Sequence, residues 1–139
     1  MAGIYVGSTS GFSGKNMVVM GLGLKFQKDG LSVGYMKPVG AMPKEIDGRL
    51  WDEDAYFVQD VLGLNEEPDL VTPVLVTHDF KVNAFSGKCE NLMSGIEDAL
   101  DDVVNITFEY CVFDTYFKRI LIALNQTNIH YREKITSQK

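Results

Sequence analysis

A chain of 139 residues is one domain's worth of protein, long enough to bury roughly two thirds of its unfolded surface without staples. Thirteen basic residues against nineteen acidic ones give a net charge of −6 and a pI near 4.8, which removes the attraction that sequence-independent binding to nucleic acid or anionic membranes requires. No nucleic-acid and no membrane partner is therefore expected. Two cysteines, Cys89 and Cys111, in a chain with no signal peptide read as reduced, packed side chains, and the expected compartment is cytoplasmic.

Ile4-Tyr5-Val6 is a β-prone run that breaks at Gly7 into a small-residue loop, Ser8 to Lys15, and then into a helical pattern. Val18, Leu22 and Phe26 recur there at four-residue spacing, and Gly30 stands where a left-handed C-cap belongs. Gly21 and Gly23 weaken this helix and predict close approach to a sheet. Leu31 to Met36 is a second strand that stops at Lys37-Pro38, because proline cannot donate to the ladder. A strand-helix-strand unit closes as a right-handed crossover with parallel strands, so the glycine loop and Lys37-Pro38 share one carboxyl edge.

Asp47-Gly48 signals a turn, and Asp52 to Leu62 reads as a helix with Ala55, Val58 and Leu62 on one face and Gly63 as its stop. Val71 to Thr77, interrupted by Pro73, predicts a short strand, followed by a polar loop through Lys88. Leu92, Ile96, Ala99, Leu100 and Val103 have helical spacing. From Val104 to Val112 apolar and polar residues alternate, which predicts an edge or antiparallel strand with one wet face. Asp114 would cap a last helix from Thr115 to Leu124, ahead of a polar, frayed tail. The fold class is thus α/β with a mainly parallel sheet.

Chemistry concentrates in the first loop. Backbone N–H groups at a helix N-terminus form an anion cradle, and Lys15 adds a positive charge for the β- and γ-phosphates of a nucleotide such as ATP. Thr9, Ser13, Gly14, Lys15 and Asn16 are the candidate nucleotide-binding residues. The strict pattern is Gly-x4-Gly-Lys-[Ser/Thr]; Thr9 replaces its first glycine and Asn16 the hydroxyl that normally meets Mg²⁺. An amide oxygen is a poorer magnesium ligand, which predicts phosphate binding with weak turnover. Lys37, at the same edge, is a candidate for steadying an anionic substrate; a lysine beside a proline turn is otherwise a solvated charge. Asp52, Glu53 and Asp54 suit a helix's first turn through the macrodipole, and one of them is a candidate metal ligand.

Ile4-Tyr5-Val6-Gly7-Ser8-Thr9, Ser13-Gly14-Lys15, Val33 to Gly40 and Asp52-Glu53-Asp54-Ala55, in this order, resemble the dethiobiotin synthetase-like P-loop family. They look more closely like the version of that domain at the N-terminus of some bacterial phosphate acetyltransferases and in cobyrinic acid a,c-diamide synthase-like proteins. The resemblance runs from about Gly3 to Asp102 and implies a shortened P-loop NTPase-like three-layer fold, with residues 1–104 as the P-loop unit and 105–139 as a divergent strand and helix. It further implies phosphate binding by Gly14 and Lys15, a catalytic, substrate-contacting role for Lys37, and magnesium ligation by Asp54. A Glu-Gly-x-Gly segment after a buried strand completes the family's site and is not found here; the nearby Glu109 is followed by Tyr110-Cys111.

Three functions are compatible with these residues. The leading one is a nucleotide-binding module with a regulatory or sensing role. An ATP-dependent carbon-nitrogen ligase of the dethiobiotin or cobyrinic acid a,c-diamide synthase type is the enzymatic alternative. A structural remnant is the third, and self-association as a homo-oligomer is expected from the aromatic last third, Phe108, Tyr110, Phe113, Tyr116 and Phe117.

Overall fold

The computed structural model describes residues 2–8, 10–88, 92–105 and 110–115. Strand β1 (Ala2–Gly7) leads through the glycine loop into helix α1 (Lys15–Lys28) and back into β2 (Val33–Met36). The chain continues as β3 (Val39–Gly40), β4 (Pro43–Ile46), β5 (Arg49–Asp52), α2 (Glu53–Leu62), α3 (Pro68–Val71), β6 (Val74–Leu75), α4 (His78–Phe85), α5 (Leu92–Asn105) and β7 (Tyr110–Thr115). All inter-strand pairings among these are parallel except β4 with β5, so the described chain is α/β with mainly parallel pairing.

The main sheet has the order β1-β7-β2, with β7 parallel to both neighbours. This corrects the expectation of an edge or antiparallel strand near the C-terminus. The alternation over Val104 to Val112 begins in the last turn of α5, so it never belonged to one strand. The strand itself reads Tyr-Cys-Val-Phe, the continuous apolar run that a central parallel strand requires. Asp114 and Thr115 end this strand and do not open a helix; residues 116–124, with the rest of that expected helix, lie outside the described residues.

Strand β2 is buried along its whole length. Because successive side chains point to opposite faces, Val33 and Tyr35 join one apolar cluster and Met36 the other. The first cluster unites Val19 of α1, Trp51, Ala55, Val58 and Leu62 with Val71; the second gathers Val74 with Ile96, Ala99, Leu100 and Val103 of α5. The expected face of α2 is therefore the one that packs, and so is that of α5 except for Leu92, which is exposed. On α1 the buried stripe is Lys15, Val19 and Gly23, one residue round from the expected one, and Val18 is exposed. Gly23 causes the rotation: a Cβ there would stand 2.6 and 2.9 Å from the Leu62 methyls, so only a glycine lets α1 and α2 meet. Gly21 faces open space.

Both helix stops follow from glycine. Gly30 takes φ 84°, its N–H donating to the Gln27 carbonyl while Leu31 N–H reaches Phe26, and Gly63 closes α2 at φ 63°. Asp47 and Gly48 both have positive φ, the combination that suits the two-residue turn of the β4-β5 hairpin. Two further elements depart from the sequence reading. The strand expected over Val71 to Thr77 shrinks to Val74–Leu75, since Val71 ends α3, and the polar loop beyond it contains α4, capped by Thr77 Oγ1 accepting from Phe80 N–H at 3.0 Å.

The contrast between the two glycines of α1 is measurable. Gly21→Ala should raise stability by about 1 kcal/mol through helix propensity. Gly23→Ala should gain nothing or lose stability, because Leu62 must shift to admit the methyl. Urea unfolding of the two variants beside the native chain checks the order.

Candidate functional site

Strand β1 delivers its loop to the carboxyl edge of the sheet, where Ser8 Oγ donates to the Ser10 carbonyl at 3.0 Å and Phe12 holds a left-handed φ of 54°. Gly14 follows in the left-handed region, at φ 80° and ψ 13°, and opens α1 without any side-chain cap. Its carbonyl already accepts from Met17 N–H at 3.0 Å, while glycine offers no oxygen to the first-turn donors. A helix N-terminus of this kind attracts an anion through both its donors and its dipole.

Beside it lies a cavity of about 470 Å³ lined by Gly11, Phe12, Ser13, Gly14, Lys15, Asn16, Met17, Lys37, Ala41, Met42 and Asp54. Six candidates separated by up to 41 positions in sequence, Ser13, Gly14, Lys15, Asn16, Lys37 and Asp54, thus share one space. Thr9 lies outside the described residues.

Lys37 is not a solvated charge. It is 2% exposed and donates to Asp52 Oδ1 at 2.6 Å and to Asp54 Oδ2 at 3.3 Å, with the Asp52 side chain fully buried and that of Asp54 31% exposed. Asp52, in sequence one of three acidic residues at the start of a helix, is instead the buried partner of this lysine. It is the N-cap of α2, Oδ1 accepting from Ala55 N–H at 3.0 Å, and its Oδ2 accepts from Met42 N–H, also at 3.0 Å. Glu53 N–H returns a bond to the Met42 carbonyl at 2.9 Å. The hairpin makes this possible, because its register sets Pro43 opposite Asp52. An aspartate immediately before a helix, three residues ahead of a buried alanine, was the available signal.

Gly40 completes the support. A Cβ there would come within 2.7 Å of Asp52 Cβ, Asp52 Oδ2 and Thr72 Cγ2, so the backbone passes Asp52 at a distance no side chain permits. Lys37 is met by two carboxylates, and Lys15, 5% exposed, lines the same cavity. Among the described residues no group of three or more His, Cys, Asp or Glu side chains gathers as a metal site, so Asp54 contributes one carboxylate. The register of β7 brings a further acidic residue toward this edge: Asp114 stands opposite Val6, and Thr115 opposite Gly7, where the loop begins.

No protein-family model matches the chain. The described residues form an α/β unit with a glycine loop leading into a helix, and the proteins to which the chain is similar by sequence are bacterial synthetases. With the ATP-dependent dethiobiotin synthetase BioD of Clostridium novyi (strain NT) it shares 28% identity over 108 residues, 78% of this chain and 45% of the relative. With the ATP-dependent dethiobiotin synthetase BioD of Thermodesulfovibrio yellowstonii it shares 33% identity over 73 residues, 52% of this chain and 30% of the relative. The chain spans less than half the length of either. No described helix is long and apolar enough to cross a membrane.

Removing one partner of the buried pair has a defined cost. Lys37→Met leaves Asp52 charged and buried, and should destabilise the fold by about 3–5 kcal/mol. The double variant Lys37→Met/Asp52→Asn should recover part of that loss, which thermal unfolding of the single and double variants measures. Gly40→Ala should cost about 1–3 kcal/mol by overpacking the same spot.

Proposed function

We propose that this chain is a nucleotide phosphate-binding module of the P-loop type, built on a three-layer α/β fold, that holds ATP with little or no turnover in a regulatory or sensing role. One observation carries the reading: Ser13, Gly14, Lys15 and Asn16 line the same cavity as Lys37 and Asp54, at the uncapped start of α1. Phosphate oxygens would accept from the first-turn N–H groups and from Lys15. The partial similarity to ATP-dependent synthetases supports the same assignment. The narrower likeness to the phosphate acetyltransferase domain, and the division into residues 1–104 and 105–139, belong to this proposal.

Magnesium fits the residues present, because it needs only one or two carboxylates beside phosphate and water. Asp54, partly open to the cavity, would hold it, with the Asn16 amide oxygen as a weak further ligand. Its chemistry there is neutralisation of the β- and γ-phosphates. Asp54 is shared with Lys37, which keeps Asp52 as a partner when Asp54 turns to a metal.

A second reading has one observation in its favour. Asp114 stands opposite Val6, one residue before the end of the central strand, and the resemblance expects a glutamate after such a strand. Were its carboxylate to act at this edge, an ATP-dependent carbon-nitrogen ligase would have the acidic group it otherwise lacks, with Lys37 steadying the acid.

Titration calorimetry of ATP and ADP, with and without Mg²⁺, separates the readings. Binding at micromolar to millimolar Kd, roughly −8 to −4 kcal/mol, is expected for the native chain and its loss for Lys15→Ala. Asp54→Asn should abolish the dependence on Mg²⁺ while leaving metal-free binding in place. Steady phosphate release that disappears in Asp114→Asn would favour the ligase. No heat with either nucleotide overturns both readings and leaves a structural remnant.

A further inference from the structure

A second cavity, of about 230 Å³, lies between the hairpin, the outer side of α2 and the segment that follows it. It shares no lining residue with the phosphate cavity. Its centre is Gln59, five positions along α2 from Asp54 and therefore about 7.5 Å further along the helix axis. Gln59 is 3% exposed, and neither its Nε2 nor its Oε1 has a hydrogen-bond partner. Glu66, on the same wall, buries Oε2 without a partner. Buried amides are almost always satisfied, and one left empty at both ends inside a cavity wall is an unfilled recognition element.

The chemistry of the wall defines what would fill it. A glutamine amide presents a donor beside an acceptor in one plane, so its complement is a flat edge carrying an acceptor beside a donor. Amino-substituted nitrogen heterocycles such as adenine and cytosine have that edge, and glutamine pairs with adenine in this bidentate way elsewhere. Trp51 and Tyr56 line the same space, packed edge to face with ring centroids 5.3 Å apart and planes at 71°, and give the wall the aromatic character that suits a flat ligand. Asp60 and Glu66 outnumber Arg49, whose guanidinium is engaged by Glu67 on the surface, and this balance rejects phosphates and carboxylates. Glu66 Oε2, also without a partner, adds an acceptor to the same wall.

The geometry points to a binding site for a neutral, amino-substituted heterocycle of the nucleobase type at Gln59, separate from the phosphate cavity. Its ligand is a free base or an uncharged derivative of one, since the cavity has room for one ring system and no group for a phosphate. The site stands whether or not the phosphate cavity binds ATP.

Trp51 is the sole tryptophan, so its fluorescence reads this cavity directly. The native chain is titrated with adenine and with cytosine, and with unsubstituted purine, which lacks the amino group. A saturable change with adenine or cytosine at millimolar concentration or below, at least tenfold weaker with purine, is expected. Gln59→Met, similar in length but without the amide, should weaken binding at least tenfold and, by removing the unpaired groups, raise the melting temperature of the ligand-free protein. Lys15→Ala should leave the titration unchanged, which keeps this site's failure distinct from that of the phosphate cavity. The proposal is overturned if no base gives a saturable response, if Gln59→Met binds as tightly as the native chain, or if Lys15→Ala abolishes the response.

Discussion

The buried pair of Lys37 and Asp52 is the interaction on which the described site depends. Two charges removed from water cost several kcal/mol each, and the attraction between them offsets this only if further hydrogen bonds complete both groups. Here Asp52 receives two backbone N–H groups besides the lysine, and Lys37 has Asp54 as a second acceptor. The result fixes three things at once: the end of β2, the start of α2 and the Met42 corner of the hairpin. Replacing the pair with apolar groups could leave the fold as stable, yet it would release the corner that borders the phosphate cavity. A buried ion pair used this way is a positioning device more than a source of stability.

The other half of the site is held by backbone conformation. Gly14 in the left-handed region turns the chain from loop to helix in one residue, and the absence of a capping side chain leaves the helix start open to the cavity. The neighbouring Phe12, fully exposed and also at positive φ, carries a conformation that non-glycine residues adopt at a cost. Strain and exposure of an aromatic ring at the lip of a cavity are features that packing alone would remove.

What could be read from the residues alone was whatever depends on local order. Glycine stops, the Gly-Lys helix start and the buried faces of α2 and α5 follow from spacing and backbone preference, and these hold in the described structure. The unread features depend on distant partners. Asp52 looked like one of three acidic residues in a first turn until the hairpin laid Met42 against it. The stripe of α1 turned by one residue because Leu62, far along the chain, needs the space over Gly23. Strand β7 was misplaced because the final turn of α5 and the residues after it happen to alternate. Its central position follows from parallel crossovers, which sequence periodicity does not encode.

That central position also explains how so short a stretch gathers the candidate residues at one edge. In a parallel sheet every strand ends at the same edge, so groups that are remote in sequence meet there without any loop having to reach across. The glycine loop leaves β1, Lys37 leaves β2, and Asp114 closes β7 between them. Asp52 and Asp54 come to the edge by another route, through the hairpin and the cap of α2. A phosphate needs little more than such an edge, since it is recognised by backbone N–H groups and charge within a few ångströms. Recognition of a base or of an organic acid needs walls, and those come from longer excursions. Partial likeness to a synthetase is therefore enough to carry an argument for phosphate binding, while the choice of nucleotide and substrate has to be argued from side chains of this chain alone.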